Sequence, residues 1–199
     1  MDAESSHTIL IRHGETEWSR VGRHTGWTDI GLSERGEDQA RALAVPLRQW
    51  QFSAVFCSPL QRARKTSELA GISTGVHVDE NCREWGYGDY ESKTTAEIQS
   101  TRPGWSIWKD GVVGGESVDD VGHRADAVIA RRNAIAGDVA IFAHGHFLRI
   151  LTARWLGMAP AAGEHFALST ASISDLGYER DAKVVLRWND THHLDLASA

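Results

Sequence analysis

Cysteine is nearly absent: Cys57 and Cys82 are the only two in 199 residues. One lies in a strand-like run and the other near a loop. They make no disulfide framework, and the expectation is small apolar packing with reduced thiols in a cytoplasmic protein. Basic charge is in deficit as well. Lys and Arg number 21 against 27 Asp and Glu, a formal net charge of −6, with no block of like charges. Nucleic acid is a poor partner for such a chain, because its binding needs a basic surface. No apolar run approaches the length of a membrane span, and Met1-Asp2-Ala3-Glu4-Ser5-Ser6 has neither the basic nor the apolar region of a signal peptide. Repeats, low-complexity tracts and Pro/Gly/Ser-rich linkers are missing too. Nothing divides the chain, whose length suits a single domain over residues 1–199 with one well-buried core. Self-association as a homo-oligomer is left open.

What is present is concentrated at the ends of apolar runs. Thr8 to Ile11 reads as a buried strand that stops abruptly in Arg12-His13-Gly14. Ala140 to Ala143 is a second such run, ending in His144-Gly145-His146. A third, Ala54 to Cys57, leads into Ser58-Pro59, where proline suits a helix start and puts Arg62 in the first turn. In open α/β sheets, ligands bind outside the carboxyl ends of parallel strands. If the three strands are parallel neighbours, Arg12, His13, Arg62 and His144 converge on one edge. Four cationic or potentially cationic groups in one crevice suit a phosphoryl group.

The remaining pattern alternates strands with helices. Ser33 caps an expected helix from Glu34 to Trp50, with Ala40, Leu43, Ala44 and Leu47 at helical spacing. A helix from Pro59 to Ala70 and a short strand Val76-His77-Val78 follow. Residues 85–115 hold small helical pieces (Thr95 to Ser100, Trp105 to Lys109) and read as an insertion over the site. Ser117 and Asp120 form a capping-box-like start for a helix through Ile135. After the strand ending at Ala143 come a helix from Phe147 to Leu156 and a hairpin of Ile173 to Tyr178 and Lys183 to Trp188. The expected fold is a three-layer α/β/α domain with a mostly parallel sheet.

Six collinear pieces resemble the histidine phosphatase superfamily, also called phosphoglycerate mutase-like. They are Arg12-His13-Gly14-Glu15-Thr16, His24-Thr25-Gly26-Trp27-Thr28-Asp29 with Leu32, Ser58-Pro59-Leu60-Gln61-Arg62-Ala63, Arg83-Glu84-Trp85 with Tyr87-Gly88, Gly115-Glu116-Ser117 and His144-Gly145-His146. Within the superfamily, the segments 22–26 and 84–91 are most similar to acid phosphatases and to the sedoheptulose-bisphosphatase branch.

Residue chemistry and resemblance agree on His13 as nucleophile, if one tautomer aims a free nitrogen at phosphorus. Arg12, Arg62 and His144 would neutralise the phosphoryl oxygens, with the Gly14 and Gly145 amides as further donors. A leaving alkoxide needs a proton, and the resemblance alone selects Glu84 as the acid, with Trp85 helping to desolvate it. It also implies substrate contacts from Ser19 (asparagine in many members), Thr25, Gly26, Tyr87 and Gly145. No metal or other cofactor is expected, since His144-Gly145-His146 lacks a nearby Cys or carboxylate at ligand spacing. His192-His193 reads as a solvated tail and Arg131-Arg132-Asn133 as an exposed helix face. Trp27, Trp85, Trp105 and Trp108 are candidates to line a pocket. The expected function is hydrolysis of phosphate monoesters of small metabolites, such as sugar phosphates or bisphosphates, through a phosphohistidine. Two alternatives remain: a cofactor-dependent phosphoglycerate mutase, disfavoured by the lack of an Arg-Arg segment between Tyr90 and Ser117, and a non-catalytic module that binds phosphorylated ligands.

Overall fold

The computed structural model describes residues 6–196, so the reading of Met1 to Ser6 falls, apart from Ser6, outside the described residues. Six strands form one sheet: β1 (Thr8–Arg12), β2 (Phe52–Cys57), β3 (Val76–Val78), β4 (Asp138–Ala143), β5 (Ile173–Glu179) and β6 (Ala182–Asp190), in the order β3-β2-β4-β1-β5-β6. β1 to β4 are parallel, β5 runs against β1, and β6 runs against β5. The central strands are apolar on both faces because both are covered, as parallel sheets require. Ile9, Ile11, Ala140 and Phe142 pack toward α2 (Glu34–Ala42), α3 (Ala44–Leu47) and α4 (Gln61–Leu69). Leu10, Val139 and Ile141 face the other layer, which holds α7 (Val118–Asn133) and α8 (Gly145–Trp155). Each such fully buried Val, Ile or Phe stabilises the fold by roughly 1.5–3 kcal/mol over an exposed one.

Register sets the site. Arg12 pairs with Ala143 and Cys57 with Phe142, so β1, β4 and β2 end together. Beyond the ladder, His13 N donates to Ala143 O (3.1 Å) and Ser58 N to Phe142 O (3.0 Å). The chain then leaves β1 under tight constraint. A Cβ on Gly14 would stand 2.3 Å from the Gly36 carbonyl oxygen, and one on Gly36 would stand 2.0 Å from that of Glu15. Only glycine lets the loop and α2 approach so closely. The insertion contributes α5 (Thr95–Thr101) and α6 (Ile107–Asp110), after the short α1 (Glu17–Arg20) that follows β1.

Several expectations need correction. The helix from Glu34 to Trp50 is two helices, because Pro46 cannot donate to the Ala42 carbonyl and its ring crowds it. α4 starts at Gln61, with Leu60 extended before it. Arg132 is buried, not exposed: it donates to Thr8 Oγ1 and to the carbonyls of His7, Ile135 and Gly137, tying the end of α7 to the start of β1. His193 is likewise buried, on α9 (His192–Leu196), while His192 is exposed. The cysteines are buried and free, and burial pushes the Cys57 thiol up to about 12.

Candidate active site

A cavity of about 190 Å³ opens beyond the carboxyl ends of β1 and β4, with Arg12, His13, Glu84 and Gly145 in its wall. His13 is 4% exposed and its Nδ1 lies 2.7 Å from the Gly14 carbonyl oxygen. A carbonyl only accepts, so Nδ1 carries the proton. Burial, then the charges of Arg62 and Arg12, hold the His13 pKa well below its ordinary value, so the ring is neutral. A neutral ring protonated at Nδ1 leaves a lone pair on Nε2.

His144 has the opposite tautomer. Arg62 Nε donates to its Nδ1 (3.1 Å), so its Nε2 carries the proton and gives it to Ser58 Oγ (2.7 Å). Burial first, and then Arg62, keep it neutral as well. The two imidazole centroids are 5.1 Å apart.

Arg12 lies flat against the start of α8, where a Cβ on Gly145 would stand 3.3 Å from its Cζ. One terminal nitrogen donates to Leu168 O, while Nε is buried without any partner. A half-buried guanidinium whose buried Nε has no partner, on a cavity wall, is matched to an anion.

Glu84 faces it from the insertion side, 5% exposed. Its Oε1 accepts from Trp85 N (2.9 Å) and Phe147 N (2.9 Å), and its Oε2 from His146 N (3.0 Å). The carboxyl group therefore caps the first turn of α8, which has no side-chain cap of its own. This is why α8 begins at Gly145, before the expected Phe147. Arg124 fixes the segment from behind, donating to the carbonyls of Asn81, Arg83 and Glu84 and to both oxygens of Glu116.

A family model described as the histidine phosphatase superfamily (branch 1) matches residues 8–191. The chain belongs to that superfamily. An acid phosphatase of Mycobacterium tuberculosis is 38% identical over 187 residues, covering 92% of each chain. A sedoheptulose 1,7-bisphosphatase of Saccharomyces cerevisiae is 36% identical over 190 residues, covering 79% of this chain and 70% of the relative. Among solved structures, a mycobacterial glucosyl-3-phosphoglycerate phosphatase in complex with VO3 superposes with a TM-score of 0.83 at 30% identity, covering 92% of this chain and 98% of that one.

In this histidine phosphatase the expected residues are unevenly placed. Ser19, Thr25, Tyr87 and Gly145 join Arg12, His13 and Glu84 in the cavity wall. The Ser19 hydroxyl is already engaged in a capping box with Thr16, donating to its carbonyl (3.0 Å). Arg62, His144 and Gly26 lie behind the wall. Arg62, wholly buried, spends its donors on His144 and on the carbonyls of Thr25, Gly26 and Thr28. The Gly26 amide goes to Glu91 and the Gly14 amide to Thr66 Oγ1. None of the four tryptophans lines the cavity: Trp85 and Trp105 are core residues, Trp108 packs under Arg149, and the half-exposed Trp27 borders a neighbouring depression.

Sequence reasoning missed four charged or imidazole side chains of the wall, Arg23, His24, His146 and Arg149, besides Gly22 and Leu168. Tyr87 Oη lies 2.6 Å from His146 Nδ1. Burial raises the Tyr87 pKa well above its usual value and lowers that of His146 well below, so a neutral phenol and a neutral ring share this hydrogen bond. Helical spacing from Gly145 (i, i+4) and His146 (i, i+3) would have put Arg149 on their face of α8, a signal available in the sequence.

Proposed function

We propose that this protein is a phosphoric monoester hydrolase for small phosphorylated metabolites, working through a phosphohistidine at His13. The observation that carries the reading is the fixed tautomer of His13: its proton is held by Gly14 O and its Nε2 is left as a base-free nucleophile in the cavity wall. In the first half-reaction, the Nε2 lone pair forms the N–P bond as the ester P–O bond breaks, and Glu84 gives its proton to the departing alkoxide. In the second, Glu84 takes a proton from water as that water attacks phosphorus, the N–P bond breaks, and phosphate leaves. Oε2 is the oxygen for this task, because it has one amide donor where Oε1 has two.

Arg12 offers its free donors to the phosphoryl oxygens, and the start of α8 adds the positive end of its dipole. Arg62 and His144 act from behind, His144 becoming a direct donor once its Nε2–H turns from Ser58 to a phosphoryl oxygen. Positive charge is thus available without a divalent cation. Hydrolysis is favoured over mutase chemistry because two of the insertion's three cations are committed: Arg102 donates to Tyr90 Oη and Lys93 lies over the Tyr90 ring, while the third, Lys109, is exposed and not part of the cavity wall. The phosphatase names of the relatives and the sugar named in one of them support sugar phosphates or bisphosphates as substrates.

The test is phosphate release from a panel of alkyl, aryl and sugar phosphates in the presence of a strong chelator. Hydrolysis at an unreduced rate is expected. Absence of release from every ester, or activity lost with chelator and restored by magnesium or zinc, would overturn the mechanism.

A further inference from the structure

His24 is a buried side chain on the cavity wall that no part of the hydrolytic mechanism uses. Its backbone is fixed on both sides by the insertion: His24 N donates to Lys93 O (2.9 Å) and His24 O accepts from Ser92 N (2.9 Å). The ring stands 4.9 Å from that of Tyr87, 5.8 Å from Trp105 and 6.2 Å from His146, measured between centroids. Although it is only 8% exposed, Nε2 has no hydrogen-bond partner, and the ring makes no side-chain hydrogen bond among the described residues.

The neighbours cannot supply one. The Tyr87 hydroxyl is bonded to His146 Nδ1, and Trp105 Nε1 donates to Gly111 O. A phenyl ring would fill this aromatic niche equally well without leaving a polar nitrogen unpaired in a buried place. An imidazole here makes physical sense when something that enters the cavity bonds to it.

We propose that His24 is the specificity-determining residue for the alcohol half of the substrate, hydrogen-bonding a hydroxyl group and so selecting phosphorylated polyols. This rests on the phosphatase reading above. Burial keeps the ring neutral, so it offers one donor and one acceptor, and a hydroxyl, which both donates and accepts, can bond to it in either tautomer, whereas a phosphate or carboxylate can bond only to the N–H.

The experiment compares kcat/KM for sorbitol 6-phosphate and for nitrophenyl phosphate, which has no hydroxyl, in the wild-type protein and in His24→Phe and His24→Gln. His24→Phe should raise KM for the sorbitol ester about tenfold, the effect of losing one hydrogen bond, and leave nitrophenyl phosphate within about twofold. His24→Gln should restore most of the loss. Should the phenylalanine variant fail to fold, His24→Leu carries the same expectation. Equal losses for both substrates, or an unchanged KM for the sorbitol ester, would overturn the assignment. Wild-type protein that hydrolyses neither ester would overturn the phosphatase reading itself, so the two failures are distinguishable.

Discussion

At the carboxyl ends of β1, β2 and β4, nearly every polar atom is partnered inside the protein, whereas across the cavity the loop and insertion leave polar atoms unpaired. On the sheet side, His13 Nδ1 is held by Gly14 O, while His144, Ser58 and Arg62 form a separate connected set of bonds that ends on the carbonyls of residues 25, 26 and 28. On the other side, His24 has no side-chain partner, and its segment is held by backbone bonds to residues 92 and 93. Arg12 stands between them with one bond made and Nε free. The difference separates two tasks. Groups that must hold one tautomer are fixed by the protein, and groups that must recognise a ligand keep their valences open.

The comparison is broken most severely at His13. His13→Ala should lower turnover by several orders of magnitude, because no other wall residue offers a free nitrogen lone pair fixed against the sheet, while substrate affinity is nearly retained. Substantial turnover in that variant would remove His13 from the chemistry.

Glu84→Gln comes next, and its effect depends on the leaving group. Alkyl phosphates should lose roughly 10²–10⁴-fold, the usual contribution of general acid catalysis, and nitrophenyl phosphate far less. The variant also replaces one acceptor of the α8 cap with a donor, so thermal stability should fall by about 1 kcal/mol, the typical value for a lost cap. Equal losses for both ester classes would mean that Glu84 serves only as that cap.

The two arginines sharpen the contrast. Arg12→Ala should weaken vanadate inhibition by roughly 2–5 kcal/mol, the cost of removing one partner of a buried charged hydrogen bond, with a small effect on folding. Arg62→Ala should do the reverse, destabilising the fold by roughly 3–5 kcal/mol as a buried network loses its centre. Vanadate affinity measured beside urea midpoints decides it. An Arg62 variant that is stable yet blind to vanadate would place that side chain in the cavity.

Much of this was legible in the sequence, and the exceptions have physical causes. The strands, their order of polar endings and the residues Arg12, His13 and His144 follow from apolar runs stopping at charged or glycine-flanked residues. The Ser117 capping box with Asp120 also stands as expected. The break at Pro46 was readable too, since the rule against proline in helix interiors applies directly. Partner identity was not. Whether Arg62 faces a ligand or three carbonyls, and whether Arg132 faces solvent or Thr8, depends on contacts 34 to 124 residues away in the chain. His24 was invisible for the same reason: its signal is the absence of a partner, which only the packed structure defines.

A smaller effect concerns pH. His13, His24, His144, His146 and His193 all have pKa values held below the ordinary 6.5, chiefly by burial. Above that pH they are neutral whether folded or unfolded, and the native state has its full stability. Below it the unfolded chain takes up protons that the folded chain refuses, so stability falls as pH drops. The slope is about 1.4 kcal/mol per pH unit for each histidine kept neutral. Urea midpoints measured between about pH 7.5 and pH 5 should decline steadily, and a flat profile would contradict the burial argument. Turnover, by contrast, should show no loss from His13 protonation as pH passes below 6.5, because the nucleophile stays neutral there.

The central claim is that His13 Nε2 receives the phosphoryl group, and it is tested most directly by trapping. The protein is mixed rapidly with a radiolabelled phosphomonoester, denatured in alkali, where a phosphoramidate survives, and digested for peptide mapping. The account predicts label on the peptide containing His13, appearing before phosphate is released and absent from His13→Ala. Label on another residue, or none while hydrolysis proceeds at full rate, would contradict it.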